Sequence, residues 1–223
     1  GVKVITLFTN LIWDAANVSR DIVFKSTIDW LKETIEYYGE NKQVHILIRT
    51  HPAEIVLGSK ERYEEIINNL FPKLPNNITI VNGEDDVNSF SIIDISEIGI
   101  IHTSTVGLEM AMLDKPVILI SDTHYRNKGF TYDVKTSDEY FKLINSLNIK
   151  PVTKNNQLIL ARKYFYYMMF EYQHELPIDY NKLKLFNGYT YNNFNDLYGD
   201  NTLALHKIID RAINGPHKDF IFR

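Results

Sequence analysis

The sequence contains no cysteine. Disulfides, thiolate zinc sites and cysteine nucleophiles are thereby excluded, and a reducing, cytoplasmic compartment is the matching expectation. No apolar run approaches the roughly 20 residues that a membrane-spanning helix needs, and no leader-peptide pattern is read at its start. Positive charge is not in excess: 24 Lys and Arg stand against 28 Asp and Glu, a net charge of −4. A general nucleic-acid binder needs the opposite balance, because phosphate affinity is carried by a surplus of Lys and Arg. There is no Gly-x-Gly-x-x-Gly, no P-loop and no Gly-x-Ser-x-Gly, so the usual glycine-built phosphate cradles and the serine nucleophile elbow are missing. His45, His102 and His124 lack ligand spacing, as does the acidic run Glu84, Asp85 and Asp86, so no metal site is expected.

What remains is an ordinary globular composition, 44% hydrophobic over 223 residues, sufficient for one large domain. Strand-like and helix-like runs alternate. "VKVITLF" (2–8), "VHILIRT" (44–50), "NITIV" (77–81), "IGIIHT" (98–103) and "PVILI" (116–120) read as strands. Between them, 24–39, 59–71, 86–96 and 104–114 read as helices, and 137–147 adds another; Ser59 and Ser137 are the expected caps of their helices, and Gly39 and Pro72 the expected stops. Continuous apolar strands alternating with helices predict an α/β fold, a doubly wound parallel sheet of Rossmann type covered on both faces. After about residue 150 the alternation ends. A long helix is expected over 155–176, then an Asn- and Tyr-rich stretch, then helix again from about Thr202. The expected organisation is thus a sheet domain over 1–150 and a helical extension over 151–223. Because a strand begins at residue 2, the chain is expected to be a piece of a longer protein, with Gly1 a tag remnant.

In open α/β sheets ligands bind beyond the carboxyl ends of the strands, and the polar residues of this sequence collect there. In "HTSTVGLE" (102–109), Thr103, Ser104 and Thr105 supply hydroxyls at a helix start, where unpaired N–H groups and the helix dipole favour an anion. Gly107 lets a phosphate or the next strand come close, and Glu109 is placed to reach a ribose diol. The plainer alternative is that the hydroxyls cap the helix and Glu109 is solvated. In "RTHPAE" (49–54), Arg49 and His51 are phosphate donors, or His51 is a turn histidine stiffened by Pro52. Asp14, in "TNLIWDAA", is a base, a metal ligand or a turn residue. Arg126 and Lys128, in a loop carrying Gly129, form either a mobile anion clamp or a solvated basic loop.

Taken together, "IRTHPAE", "DDVNSFSIIDISEIGIIHTSTVGLEMAMLDKPVI" and "YRNKGFTYDV" resemble the capsule polysaccharide biosynthesis family, whose members include bacterial transferases of Kdo and related sugars; "LFTNLIWDAA" and "ARKYFYYMMFEY" are also similar. CDP-glycerol glycerophosphotransferases and UDP-GlcNAc 2-epimerases are more distantly similar. The resemblance spans about residues 4–175. It implies one half of a GT-B glycosyltransferase, the donor-nucleotide domain, with an amino-terminal acceptor domain elsewhere in the protein. It implies that His51 and the Ser104–Gly107 segment contact donor phosphate, that Glu109 binds ribose hydroxyls, and that Asn88 and Ser89 lie near the base. It implies a nucleotide sugar as substrate (CMP-sugar first, UDP-sugar second, CDP-polyol third), no resident cofactor or obligatory metal, and a polysaccharide or glycolipid acceptor. Docking at the inner face of the cytoplasmic membrane is a further implication. Within this chain no catalytic acid is identified. A nucleotide-sugar 2-epimerase and a non-catalytic scaffold domain are the alternative readings.

Overall fold

The computed structural model describes residues 2–146, 149–152 and 156–171. Six parallel strands form one sheet: β1 (Lys3–Phe8), β2 (Val44–Arg49), β3 (Ile78–Val81), β4 (Ile98–Ile101), β5 (Val117–Leu119) and β6 (Tyr132–Asp133). Their spatial order is β3-β2-β1-β4-β5-β6. The chain thus winds outward from β1 in one direction, returns, and winds outward from β4 in the other. That order is the doubly wound arrangement expected from the sequence, and its switch point lies between β1 and β4.

Helices flank the sheet: α1 (Thr27–Tyr38), α2 (Ala53–Val56), α3 (Tyr63–Leu70), α4 (Ser89–Ile95), α5 (Val106–Met112), α6 (Ser137–Asn145) and α7 (Gln157–Tyr166), the last followed by a π turn over Tyr167–Glu171. Period-two alternation within the strands sends side chains to two faces. Ile5, Leu7, Val44, Ile46, Ile48, Ile98, Ile100 and Ile118 enter one core with Trp30, Leu31, Ile35, Tyr63, Ile67, Tyr140 and Ile144 from α1, α3 and α6. The opposite face carries Thr6 and Gly99, which meet α4 and α5. Thr6 Oγ1 bonds Ser96 Oγ at 2.5 Å at the end of α4. A Cβ at Gly99 would run into the Met110 thioether of α5.

The first core contains a closed polar triangle. Trp30 Nε1 donates to the Tyr140 hydroxyl at 3.0 Å, Tyr140 and Thr34 share a bond of 2.8 Å, and Thr34 Oγ1 donates to the Trp30 carbonyl at 2.7 Å. It ties α1 to α6 and satisfies each buried group. Burial raises the Tyr140 hydroxyl well above the ordinary phenol range.

Several expected boundaries shift. The second expected helix begins at Tyr63, and Ser59 does not cap it. Residues 53–56 form a separate helical turn directly after Pro52. Thr136 caps α6, accepting from the Glu139 N–H at 3.2 Å. The 121–134 segment contains β6, so it is pinned to the sheet edge. The long expected helix is regular only to Tyr166, and everything expected beyond residue 171 lies outside the described residues. The chain divides into two compact units, residues 1–163 and 164–223; the features below all belong to the first. Among the described residues no helix is long and apolar enough to cross a membrane.

Candidate donor-binding site

A cavity of about 220 Å³ opens at the carboxyl ends of the strands. Its walls come from four connections. Phe8 ends β1 and Thr9 follows it; Arg49 ends β2, and Thr50, His51 and Pro52 follow it; Ser89 starts α4; Ser104, Thr105, Val106 and Glu109 follow β4. The sheet therefore gathers at its switch point Arg49, His51, Ser89, Ser104, Thr105 and Glu109, six of the nine residues expected to bind the donor.

His51 is held by its own turn. The Ala53 N–H donates to His51 Nδ1 at 3.1 Å. A ring nitrogen that accepts carries no proton, so the neutral imidazole bears its hydrogen on Nε2. Burial keeps the His51 pKa below the ordinary imidazole value; Asp14 opposes this shift electrostatically and Arg49 adds to it. The turn is locked from behind by Gly83, where a Cβ would lie 2.7 Å from the His51 carbonyl oxygen. Gly83 N–H also donates to Thr50 Oγ1 at 3.0 Å.

Glu109 sits in the first turn of α5, half-buried, and burial raises its carboxyl pKa. Among the described residues its carboxylate has no hydrogen-bond or ion-pair partner, and the same holds for the hydroxyls of Ser89 and Thr105. Ser104 Oγ accepts from the Val106 N–H at 3.3 Å, while its carbonyl accepts from the Tyr125 hydroxyl at 2.6 Å. Unspent acceptors and hydroxyls facing one cavity suit a ligand that brings both an anion and a diol.

Arg49 differs from its expected part. It is 4% exposed. Its guanidinium donates to the Asn82 carbonyl and, at 3.1 Å, to the Val87 carbonyl, so it staples the loop between β3 and α4 from its place in the cavity wall. Burial lowers its pKa and Asp85 opposes the shift. Arg126 is likewise buried; it donates to the carbonyls of Leu119 and Ser121 at 3.1 Å and of Val134 at 2.6 Å. It anchors the segment that was expected to clamp an anion, because a buried guanidinium is costly unless its donors find partners within the fold. Lys128 and Asp14 do not line the cavity, although Asp14 is close enough to His51 to bias its charge.

Three expected donor residues are used otherwise. Thr103 accepts from Asn10 Nδ2 at 3.0 Å and donates to Asn17 Oδ1 at 2.5 Å, holding the loop after β1. Asn88 caps α4 by accepting from the Phe90 N–H at 2.8 Å. A Cβ at Gly107 would meet the Tyr125 hydroxyl at 2.5 Å and Ile101 Cγ1 at 2.8 Å, so of the two uses foreseen the close helix–strand approach is the one seen. Sequence reasoning missed Thr9 and Thr50 as walls. It also missed the pair His102 Nε2–Asp21 Oδ1, 2.8 Å apart, in which burial depresses the His102 pKa against the pull of Asp21. Strand-end position was the available signal for the two threonines. Nothing in the sequence pairs residues 21 and 102. Among the described residues no group of three or more His, Cys, Asp and Glu side chains could hold a metal ion.

The family model described as capsule polysaccharide biosynthesis protein matches residues 3–173. Among solved structures, KpsC of Thermosulfurimonas dismutans is similar in two forms. Its beta-Kdo 2,7 transferase is 21% identical with a TM-score of 0.43, covering 60% of this chain and 38% of that one. Its beta-Kdo 2,4 transferase is 21% identical with a TM-score of 0.45, covering 62% and 40%. A co-structure of MnaA with UDP from S. aureus is 11% identical with a TM-score of 0.48, covering 75% and 46%. The chain thus spans less than half the length of each. No curated protein matches at a significant level.

Proposed function

The chain belongs to the capsule polysaccharide biosynthesis family, and from that premise we propose that it is the donor-nucleotide-binding half of a GT-B glycosyltransferase. The reaction is transfer of a sugar from a nucleotide-activated donor to a polysaccharide or glycolipid acceptor during synthesis of a bacterial surface polymer. CMP-sugar is the first candidate donor and UDP-sugar the second. The nucleotide sugar is a substrate, and no resident cofactor is invoked. An amino-terminal acceptor domain of the same protein completes the cleft, at the cytoplasmic side of the membrane.

One observation carries this reading. His51, Ser104, Thr105 and Glu109 reach a single cavity at the switch point of the sheet. In it His51 Nε2–H donates to a donor phosphate oxygen and supports the charge that grows there as the sugar–phosphate bond breaks. The Ser104 and Thr105 hydroxyls add donors to the same oxygens. Glu109 accepts from ribose hydroxyls, a charge-assisted pairing that also relieves its unpartnered carboxylate. At about 220 Å³ the cavity is smaller than the roughly 300–1,000 Å³ of complete ligand sites, as half of a cleft should be.

A thermal-shift screen tests the class of protein. A donor domain gains melting temperature with a restricted set among CMP, CDP, UMP, UDP and GDP, by mass action on the folded state. A scaffold domain gains with none. A 2-epimerase responds to UDP-GlcNAc and turns it over, whereas the proposed domain has no such turnover.

A further inference from the structure

We propose that Trp13 is the platform for the transferred sugar, its indole face packing on the apolar face of a pyranose ring next to the phosphate held by His51. The inference rests on the donor-binding reading above and goes beyond it, since neither the family match nor the cavity itself assigns Trp13 a part.

The chain has two tryptophans. Trp30 is 0% exposed and belongs to the core; Trp13 is 55% exposed in the loop after β1. Exposure of an indole is unremarkable by itself, but this one is fixed. Its Nε1–H donates to Ser59 Oγ at 2.8 Å. The polar edge is thereby satisfied within the protein, and what remains for a ligand is the flat apolar face, already oriented. A ligand that lands on it orders one side chain fewer.

Both ends of this clasp lead to His51. On one side the chain passes from Thr9, a cavity wall, to Asp14, whose charge is felt by the His51 ring. On the other, the Ser59 N–H donates to the Glu54 carbonyl at 2.9 Å, and the Glu54 N–H donates to the His51 carbonyl at 3.0 Å. Trp13 is thus tied, through Ser59 and Glu54, to the turn that carries His51 after β2. Ser104, Thr105 and Glu109 enter from the β4 side. A nucleotide sugar has its ribose on one side of the phosphate and its transferred sugar on the other. With the ribose at Glu109, the base leaves on that side and the transferred sugar runs toward Trp13. The cavity, at about 220 Å³, has no room for the whole donor, so the sugar must rest at the mouth. In the turn that leads from Glu54 to Ser59, the partner of Trp13, Val56 and Leu57 are 82% and 57% exposed, apolar surface suited to the C–H face of a sugar.

The test uses the full chain and two probe pairs, UDP with UDP-GlcNAc and CMP with CMP-N-acetylneuraminate. Calorimetry measures affinity, and tryptophan emission reports on Trp13 directly because Trp30 is inaccessible. The expected result is that a nucleotide sugar binds more tightly than its nucleotide and perturbs emission where the nucleotide does not. In Trp13→Ala the extra affinity, about tenfold, disappears while nucleotide affinity stays. Trp13→Phe keeps part of the gain, Ser59→Ala loses part of it, and melting temperatures match the parent. Equal weakening of nucleotide and nucleotide sugar in Trp13→Ala would place the base there and overturn the inference. So would an unchanged gain, or no gain for either sugar in the parent, each leaving the donor-binding reading intact. Failure of every nucleotide to bind the parent chain would overturn both.

Discussion

The backbone N–H of Ala53 donates to Nδ1 of His51 at 3.1 Å. This one bond decides which ring nitrogen is left for a ligand, and it does so through the turn that Pro52 imposes three residues after the end of β2. To protonate Nδ1 the chain would have to give up that bond, and burial disfavours the charged ring as well. The proposed site therefore uses His51 as a neutral donor.

Nucleotide affinity should accordingly be flat between pH 7 and 8. An imidazolium donor would instead lose affinity about tenfold per pH unit above its pKa. Titrations of UDP or CMP at three pH values within that window distinguish the two, and a steep loss would refute the neutral-donor assignment.

Glu109→Ala should erase discrimination between ribo- and 2′-deoxyribonucleotides. The parent is expected to prefer UMP over dUMP, or CMP over dCMP, by roughly tenfold, the worth of one charge-assisted hydrogen bond. In the variant the two affinities should converge on the weaker value. A preference that survives in the variant would move the ribose away from Glu109.

Arg126→Ala should reduce stability by about 3 kcal/mol, because three carbonyls lose a buried donor. Nucleotide affinity of the folded fraction should not change. A large affinity loss without a stability loss would restore Arg126 as an anion clamp.

Gly107→Ala should cost about 1–3 kcal/mol through overpacking against Tyr125, Ile101 and Val117. Gly58→Ala is the control: nothing lies within 4 Å of its added Cβ, and only its positive φ of 62° opposes the change, at about 1 kcal/mol. Denaturant midpoints of the two variants give the comparison, and a smaller loss in Gly107→Ala than in Gly58→Ala would contradict the packing reading of Gly107.

Acid should reveal His102. Its pKa is held below the ordinary value by burial, so the folded chain resists protonation that the unfolded chain accepts below about pH 6.5. Its contribution to stability is full above that value and is lost as pH falls below it, by at most about 1.4 kcal/mol per pH unit. His51 and His124 act in the same direction, while Glu54, Glu109 and Asp133, raised by burial, act in the opposite direction as pH rises through their own ranges. His102→Gln isolates the one residue: melting temperature should fall less steeply from pH 7 to 5.5 than in the parent. A steeper fall would reverse the assigned sign.

Much of this architecture was legible in the residues. Continuous runs such as Ile98 to Ile101 have one physical outcome, a strand covered on both faces, and strand-end position then marks where His51, Ser104 and Glu109 must meet. What was not legible is long-range pairing. Arg49 and Arg126 look like surface cations in the sequence, and only the loops that fold over them make them internal staples. Thr103 looks like a ligand hydroxyl until Asn10 and Asn17 arrive beside it. The helix starts misread at Ser59 and Ser137 are a local error of another kind: each is a plausible cap, but the side chain that reaches a free N–H is decided by the entry angle of the chain, which Thr136 wins at α6.

The central claim is that one cavity binds the nucleotide of an activated sugar through His51 and Glu109. Calorimetric titration of CMP, CDP, UMP, UDP and GDP into the parent chain, His51→Ala and Glu109→Ala tests it most directly. The account predicts selective binding of a cytidine or uridine nucleotide, weakened in both variants while their folds persist. Tight nucleotide binding that both variants retain would contradict it, as the ligand would then sit elsewhere on the molecule.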